Sequence, residues 1–551
     1  MMAHKRVFGM AVFFLLAAAV AYWLLEIPRI VSLDPVSFAP GEIVSIRGRH
    51  FGASQKDKHV LFDSSPLTKS SYISWSDEEI KVRIPASADS GLLQVSTMFG
   101  TSNPEMIIAS ARLPARPENS SRVNVGPAIR AINPVEAAIG SLVEIEGINF
   151  GSNLQFSAVR FSRNAAGIDT VGESLDGGAA NISRNSSYVE PEDPGLMYES
   201  WDDKKIAVRV PEGAGTGTIV VSTPQGQSAP FSFKVRQGSG AKYLYSPAVY
   251  SVQFRIDIKK SSKKPNESIV LYLPNPAGTL SQKLETMQEE NPAPFMADFG
   301  NVAVFKLMDF LGNTAFVSRT ALVSVLGVET DLGGFRDSFP DGKVPGFLQG
   351  YLIEDALVPA RAKEVLALSA KIIGKEKNLQ KKASLVWDWL RKNLSWKTAS
   401  GPRDSVLSAI RDGKAGTRQY SLLACALLRA AAVPAVPLSG FLARKDGVSV
   451  PHFWLEYYLP AVGWIPFDPV LGLGSEPGGF DASLDNPLNY FGSLDNRHIA
   501  ISRGITNVTP MLGGSDMKTD KVQWSFQTLF EESIGIAYES TWHDIDILGV
   551  Y

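Results

Sequence analysis

Three polar residues in the second half of the chain have the side-chain types that nucleophilic catalysis uses. Thr417 offers a hydroxyl, His452 an imidazole and Asp468 a carboxylate. When such groups meet in a fold, the imidazole takes the proton of the nucleophile and the carboxylate orients the imidazole. The chemistry that this combination would support is acyl transfer, including hydrolysis of an amide bond.

Each of these residues lies in a short segment with a distinct pattern. The segments read Gly416-Thr417-Arg418-Gln419-Tyr420-Ser421, Pro451-His452-Phe453-Trp454-Leu455-Glu456 and Gly463-Trp464-Ile465-Pro466-Phe467-Asp468-Pro469. Together they resemble the transglutaminase-like superfamily, which consists of circularly permuted relatives of the papain-type cysteine proteases. In that family the nucleophile begins a helix, and the histidine and aspartate lie on strands. The resemblance implies an α+β fold and puts the family's catalytic positions at Thr417, His452 and Asp468.

The sequence departs from the family pattern at the nucleophile. The family has cysteine where this chain has Thr417, and glycine where it has Ala415. A thiol, with a pKa of about 8.5, is readily activated by a neighbouring histidine, whereas a hydroxyl is a far weaker acid. Threonine nucleophiles usually rely on their own N-terminal amine, and Thr417 lies inside the chain. Two interpretations follow: the domain is silent in amide chemistry, or it is a hydrolase or acyl transferase acting through the hydroxyl.

The single cysteine, Cys425, is the other nucleophile to consider. It lies eight residues after Thr417, which on a helix places it about 80° around the axis and roughly 12 Å further along. Its neighbours are alanine and leucine, so we interpret it as a buried apolar residue. One cysteine cannot form an internal disulfide or a thiolate zinc cluster.

We expect neither a cofactor nor a metal. The chain has six histidines, and none has the partner spacing of a His-x-x-x-His or His-Glu-x-x-His motif. Asp481, Asp485 and Asp495 could offer oxygen ligands to calcium, but their spacing fits no standard calcium loop. We therefore interpret them as part of a solvated loop.

Composition sets broad limits on the function. The chain has 551 residues, of which 44% are hydrophobic and 20% charged, and its formal net charge is -2. This length allows several domains, and the balanced charge gives no support for a nucleic-acid partner.

The N-terminus predicts a membrane segment. Lys5 and Arg6 precede an uncharged apolar run from Val7 to Leu25, which as a helix has about the length needed to cross a bilayer. Positive charges before the run favour a cytoplasmic N-terminus and export of the rest. Residues 1–27 are therefore a signal anchor or, as the alternative, a cleaved signal peptide.

An internal repeat follows. Phe51 and Gly52 recur as Phe150 and Gly151 at one constant offset, and later matches such as Trp75 with Trp201 occur at a longer one. The second copy therefore carries an insertion at about 162–190, which is rich in Gly, Ser and Asn and is typical of a surface loop.

Both copies contain short alternating segments bounded by Pro and Gly, as in a β-sandwich. The shared pattern Pro-x-Ile-x-x-x-x-Pro, followed by Gly-x-x-Val-x-Ile-x-Gly-x-x-Phe-Gly, resembles the IPT/TIG family of immunoglobulin-like domains, over 28–112 and 127–236. The resemblance implies a fold rather than a function, and a spacer role is expected for the pair.

The rest of the chain divides into three further predicted parts. Residues 242–335 are predicted to form a β-domain, residues 350–515 the transglutaminase-like domain and residues 516–551 a C-terminal β extension. Helices are predicted at 360–373, 377–394 and 404–411, and a final strand at 522–530.

The sequence thus predicts an exported protein held in the bacterial inner membrane by residues 7–25, with its bulk in the periplasm, or secreted after cleavage. Its transglutaminase-like domain would bind a peptide, a protein or a cell-envelope polymer without catalysis. The first alternative is an enzyme acting on peptide or isopeptide bonds through Thr417, His452 and Asp468. The second is an adhesion or carbohydrate-binding protein that uses the immunoglobulin-like pair.

Overall fold

The structure is a computed structural model that describes residues 27–35, 37–38, 42–62, 65–84, 91–109, 126–152, 154, 156–164, 188–191, 194–260, 268–299, 301–308, 313–398, 405–505, 510–511, 516–519, 524–526 and 529–551. The predicted membrane segment at 7–25 and most of the predicted insertion lie outside these residues. Within the described part, no helix combines the length and apolar character needed to cross a membrane. The chain divides into two units, within 1–123 and 124–551, which we describe separately.

The described part of the first unit contains ten strands in two sheets. The strands are β1 (Arg29–Asp34), β2 (Ser37–Phe38), β3 (Ile43–Arg49), β4 (His59–Phe62), β5 (Ser65–Pro66), β6 (Tyr72–Trp75), β7 (Glu79–Arg83), β8 (Gly91–Thr97), β9 (Gly100–Thr101) and β10 (Glu105–Ala109). One sheet has the order β1-β3-β7-β6, and the other β2-β10-β8-β4-β5 with β9 beside β8. Alternate residues such as Val44, Ile46, Ile80 and Val82 are fully buried because successive strand side chains point to opposite faces.

The second unit begins with a second copy of this fold. Its elements are β11 (Ala128–Asn133), β12 (Glu136–Ala137), β13 (Leu142–Ile148), β14 (Ala158–Arg163), β15 (Tyr188–Val189), helix α1 (Pro194–Met197), β16 (Tyr198–Trp201), β17 (Lys205–Arg209), β18 (Ala214–Thr223), β19 (Gly226–Gln227) and β20 (Phe231–Val235). The sheets have the orders β11-β13-β17-β16 and β12-β20-β18-β14-β15, the same as in the first copy. The sequence repeat therefore corresponds to a repeat of strand order.

Equivalent side chains make the same contact in both copies. The indole N–H of Trp75 donates to the carbonyl of Phe51, and the indole N–H of Trp201 donates to that of Phe150, each at 3.1 Å. These are the residues that the repeat pattern singled out, so the pattern marks the contacts that close each sandwich.

The elements after the second copy are five strands, β21 to β25, and then a region of helices and further strands. They are β21 (Ala241–Lys260), β22 (Ser268–Pro274), β23 (Gln282–Asn291), β24 (Val302–Met308), β25 (Thr314–Asp331), α2 (Lys363–Ile373), α3 (Leu379–Asn393), β26 (Ser395–Trp396), α4 (Val406–Asp412), β27 (Lys414–Ala415), α5 (Thr417–Ala430), β28 (Ala435–Ala443), β29 (Ser449–Leu459), β30 (Gly463–Phe467) and β31 (His498–Arg503). The last four form one antiparallel sheet in the order β30-β29-β28-β31.

Local sequence signals explain where the helices begin and end. The Asn378 side chain caps α3 by accepting from the N–H of Lys381 at 2.9 Å. Helix α4 starts with a capping box between Ser405 and Ser408 and ends at Gly413, whose φ of 63° is the left-handed conformation that glycine favours. Helix α5 follows directly, and its interior is buried against β28, β29 and the other helices.

The last strands of the chain complete an earlier domain. They are β32 (Asp516–Thr519), β33 (Phe530–Ile534), β34 (Tyr538–Trp542) and β35 (Asp546–Val550). Strand β33 pairs with β22, while β34 and β35 pair with β21. The β strands predicted within 516–551 are present, and they pair with strands of the predicted β-domain. The predicted final strand at 522–530 is wrong, because the described residues 524–526 and 529 lie outside strands and β34 and β35 follow β33. Sequence reasoning missed the pairing because it joins segments more than two hundred residues apart.

The second immunoglobulin-like copy packs against the transglutaminase-like region. Glu212 of this copy forms a buried ion pair with Lys242 and accepts a hydrogen bond from the N–H of Trp464 at 3.1 Å. The Arg209 guanidinium lies over the ring of Phe347, 4.3 Å from its centroid. The second copy is therefore not a free-standing module, and its expected spacer role stays a prediction.

Candidate functional site

Thr417 is the first residue of helix α5. Gly416 before it has extended backbone angles and contributes no side-chain cap, so the first N–H groups of the helix point past the start of α5. Thr417 itself is partly buried, whereas every residue from Gln419 to Arg429 is buried. The predicted nucleophile position thus lies where a helix N-terminus offers positive potential.

His452 and Asp468 are in direct contact. Strands β29 and β30 pair antiparallel with Leu455 opposite Phe467, which brings the end of β30 beside the middle of β29. The Nε2 atom of His452 lies 2.6 Å from Oδ2 of Asp468, and both side chains are fully buried. The other carboxylate oxygen, Oδ1, accepts the backbone N–H groups of Val470 and Leu471, each at 3.0 Å.

A second histidine joins this pair. His498 on β31 has its Nε2 atom 3.2 Å from Oδ2 of Asp468 and its Nδ1 atom 2.8 Å from Oδ1 of Asp495. The Tyr490 hydroxyl donates to the other oxygen of Asp495 at 2.7 Å. We call His452, Asp468, His498, Asp495 and Tyr490 the buried relay.

Sequence reasoning did not identify His498 as a site residue. His498 ends the run Asp495-Asn496-Arg497-His498, which contains no catalytic or metal-binding motif. The spacing of Asp495 and His498 could have suggested a local carboxylate–histidine pair. The contact with Asp468, thirty positions away, depends on the pairing of β31 with β28.

In the buried relay, charges and hydrogen bonds together shift the pKa values more than burial does. Burial opposes ionisation of Asp468, but its electrostatic interactions and hydrogen bonds with the His452 ring and then the His498 ring hold its pKa well below the usual range. Burial likewise opposes protonation of His498, but Asp495 and the hydrogen bond to Asp468 raise its pKa to about 9. Burial acts against ionised Asp495 too, and His498 lowers its pKa to about 2. The relay therefore favours two carboxylates around one imidazolium.

Thr417 does not complete a hydrogen-bonded triad. Within the described part of the chain, Nδ1 of His452 is buried and has no hydrogen-bond partner, so the Thr417 hydroxyl does not bond to it. Helix α5 is nevertheless held against β29, since the Ser421 hydroxyl donates to the carbonyl of Trp454. Ser421 lies one helical turn after Thr417, and Trp454 two residues after His452. The helix start and the histidine thus belong to one local assembly without a direct bond.

The same residues are the ones to test for a metal site. Ligand atoms of His452, Asp468 and His498 lie within 4.8 Å of one another. Two ligands on one zinc ion, each about 2.0 Å from it, would stand about 3.3 Å apart in tetrahedral geometry. The 2.6 Å between His452 and Asp468 is instead a hydrogen-bond distance. We therefore assign the group to hydrogen bonding.

The other residues that the sequence analysis considered for a site are either buried or exposed. Cys425 is buried, as expected, and burial raises the pKa of its thiol to about 11. Asp481 and Asp485 are exposed, and Asp481 pairs with Arg497 at 2.9 Å. The interpretation of a solvated loop is wrong for Asp495, which is buried in the relay because it binds His498 and Tyr490.

Two known families match parts of this chain. Residues 366–469 match the transglutaminase-like superfamily, and residues 28–104 match the IPT/TIG domain. The first match contains Thr417, His452 and Asp468 and lies inside the predicted 350–515. The second lies inside the predicted 28–112.

Similarity to characterised proteins is confined to short stretches. The cyclomaltodextrin glucanotransferase of Bacillus sp. (strain 17-1) is 33% identical over 98 residues, which is 17% of this chain and 14% of that protein. The enzyme of the same name from Bacillus licheniformis is 39% identical over 77 residues, 13% of this chain and 10% of that protein. The chain thus covers a seventh or less of these relatives.

Solved structures give weaker likenesses. A candidate cysteine protease from Cytophaga hutchinsonii is 17% identical with a TM-score of 0.36, over 55% of this chain and 93% of that one. The periplasmic domain of TgpA from Pseudomonas aeruginosa is 13% identical with a TM-score of 0.23, over 39% and 87%. At these values neither carries an argument about activity. The two family matches show which domains the chain contains: a transglutaminase-like domain, matched over residues 366–469, and an IPT/TIG domain, matched over residues 28–104.

Proposed function

We propose that this chain is an exported, membrane-anchored protein whose transglutaminase-like domain is silent in amide chemistry and acts as a binding or scaffold module. The observation that carries the proposal is the residue at the nucleophile position. Thr417 has a hydroxyl instead of a thiol, and within the described residues that hydroxyl has no hydrogen bond to His452 that would activate it. A hydroxyl without a base remains protonated at neutral pH.

Burial of the pair supports the same proposal. His452 and Asp468 have no solvent exposure, so neither is open to a substrate. The second unit has a small recess away from the pair, with a cavity volume of about 70 Å³. Its lining comes from the second immunoglobulin-like copy and from the strands beside it and includes Arg163, Arg236, Gly238, Lys242 and Ala461.

A hydroxyl-reactive fluorophosphonate probe, followed by mass mapping, tests the proposal on the full-length chain in detergent. The expected result is no label at Thr417 while a serine hydrolase in the same tube is labelled. Label at Thr417 that disappears in His452→Asn would overturn the silent domain and establish an activated hydroxyl.

The second candidate is an enzyme that acts on peptide or isopeptide bonds through Thr417, His452 and Asp468. One observation favours it: Nδ1 of His452 is buried without a partner, as expected of a base whose nucleophile is displaced by a small movement. Amidase activity that is lost in Thr417→Ala would establish this candidate. The adhesion alternative has less support, because Phe156 is the one exposed large aromatic side chain in the described parts of the two copies.

For localisation we propose the bacterial inner membrane, with the bulk of the chain in the periplasm. The apolar run from Val7 to Leu25 after Lys5 and Arg6 motivates this. Fractionation combined with N-terminal sequencing tests it. Membrane-bound protein that retains residues 1–27 agrees with an anchor, soluble protein that lacks them indicates secretion, and cytoplasmic protein contradicts export.

A further inference from the structure

The buried relay contains more hydrogen-bonding groups than a histidine–aspartate pair requires. Asp468 accepts four N–H groups, two from the backbone and one each from His452 and His498. An ionised carboxylate offers about four acceptor sites. Asp468 is thus fully satisfied as an anion, and no site is left for a proton of its own.

The hydrogen-bond partners of His498 likewise show which of its ring nitrogens carry protons. Asp495 already accepts the hydroxyl of Tyr490 and the backbone N–H of Arg497, at 2.7 and 3.1 Å, so it too is an acceptor. Since both ring nitrogens of His498 face carboxylate oxygens, both carry hydrogens. His498 is therefore an imidazolium between two carboxylates.

The protons of His452 follow from those of Asp468. Its Nε2 donates to the carboxylate at 2.6 Å, so Nε2 carries the hydrogen. A proton on Nδ1 would be a buried donor without an acceptor, because that atom has no partner in the described part of the chain. The arrangement favours a lone pair on Nδ1, which is the form of a general base.

Other charged groups near the relay point away from it. The Arg497 guanidinium binds Asp481 and the carbonyl of Ala443 and lies over the ring of Phe480. The ring of Trp454 packs edge-on against His498, with centroids 5.3 Å apart. Among the described residues, His498 is thus the cation that faces both carboxylates.

We propose that His498 is a positioning residue: by bonding Asp468 and Asp495 together it fixes the carboxylate that sets the tautomer of His452. The arrangement of His452 and Asp468 as a base and its orienting carboxylate is then retained, although Thr417 occupies the nucleophile position. This inference holds whether or not the hydroxyl reacts, so its failure and the failure of the proposed function are separate results.

Nitrogen NMR of the full-length chain, labelled only at its six histidines, tests the proposal. At pH 7.5 we expect one ring with two protonated nitrogens, assigned to His498 by its loss in His498→Gln. We expect His452, assigned by its loss in His452→Gln, to carry its hydrogen on Nε2. A neutral His498, or His452 with the hydrogen on Nδ1, would overturn the proposal.

The variant measurement separates positioning from mere support of the fold. In folded His498→Gln we expect the His452 signals to change from one tautomer to a mixture, because Gln cannot bridge both carboxylates. If His498→Gln does not fold, Asp495→Asn serves, since it keeps the histidine and removes one carboxylate. There we expect His498 to lose its second proton. An unchanged tautomer of His452 in folded His498→Gln, or a His498 that stays doubly protonated in Asp495→Asn, contradicts the proposal.

Discussion

Nε2 of His498 lies 3.2 Å from Oδ2 of Asp468, the same oxygen to which His452 donates. One carboxylate oxygen is thus shared by two histidines from different strands.

Stability should fall at alkaline pH because of His498. Asp495 and Asp468 raise its folded pKa to about 9, above the ordinary value of about 6.5, so its contribution is fully present below pH 6.5 and is lost as the pH rises through 9. The side chain is fully buried, and this shift corresponds to a free energy of unfolding on the order of 3 kcal/mol. Calorimetry of the full-length chain between pH 6 and about 9.5 checks this.

His498→Gln is the control for that experiment. The calorimetric transition of the transglutaminase-like region should lose most of its dependence on pH in this range, because Gln does not titrate. If the wild-type chain and the variant show the same pH dependence, another group is responsible.

Acid should also weaken the buried relay, because it protonates Asp495. Charge from His498 lowers the folded pKa of Asp495 to about 2, so its contribution is present above the unfolded value of about 3.9 and is lost as the pH falls through 2. We expect the melting temperature to decline below about pH 4, and to decline less in Asp495→Asn. An equal decline in both proteins would assign the acid transition elsewhere.

A thiol at position 417 should be activated. Thr417→Cys places the thiol at a helix N-terminus close to the His452 assembly, and both features lower a thiol pKa. We expect iodoacetamide to alkylate it at pH 7 several times faster than an ordinary exposed cysteine, because a drop of one pKa unit from about 8.5 raises the thiolate fraction at pH 7 about eightfold.

The chain supplies its own control for this alkylation. Cys425 is buried with a raised pKa of about 11, so the unmodified protein should resist the reagent until it unfolds. Adding His452→Asn to Thr417→Cys should slow the reaction if the histidine acts as the base. Equal alkylation rates with and without His452 would show that the histidine does not activate the thiol.

Breaking the ion pair between Glu212 and Lys242 should loosen the second copy. Both side chains are largely buried, and burial raises the pKa of Glu212 against the opposing effect of Lys242. Lys242→Met leaves the carboxylate uncompensated, and a change of this kind costs about 3–5 kcal/mol. We expect this copy to melt separately from the rest in calorimetry.

The double variant Glu212→Gln with Lys242→Met is the matched comparison. It removes both charges, so its loss of stability should be clearly smaller than the sum of the single losses. Additive losses would mean that the two side chains do not act as a pair.

The sequence alone determined the parts of this protein that local patterns encode. Glycine, proline and alternating apolar residues marked the repeated sandwich, and helical periodicity marked α3 with its buried face. Short motifs put Thr417 at a helix start and brought His452 and Asp468 together, because the two strands that carry them are joined by a short turn.

Only the tertiary structure decided which distant segments meet. The contact between His498 and Asp468 depends on the order of strands in one sheet, and the ion pair of Glu212 with Lys242 depends on how two domains pack. The pairing of β33 with β22 joins the end of the chain to a domain near its middle. Such contacts have no periodic pattern in the local sequence, because the packing of the whole unit determines them.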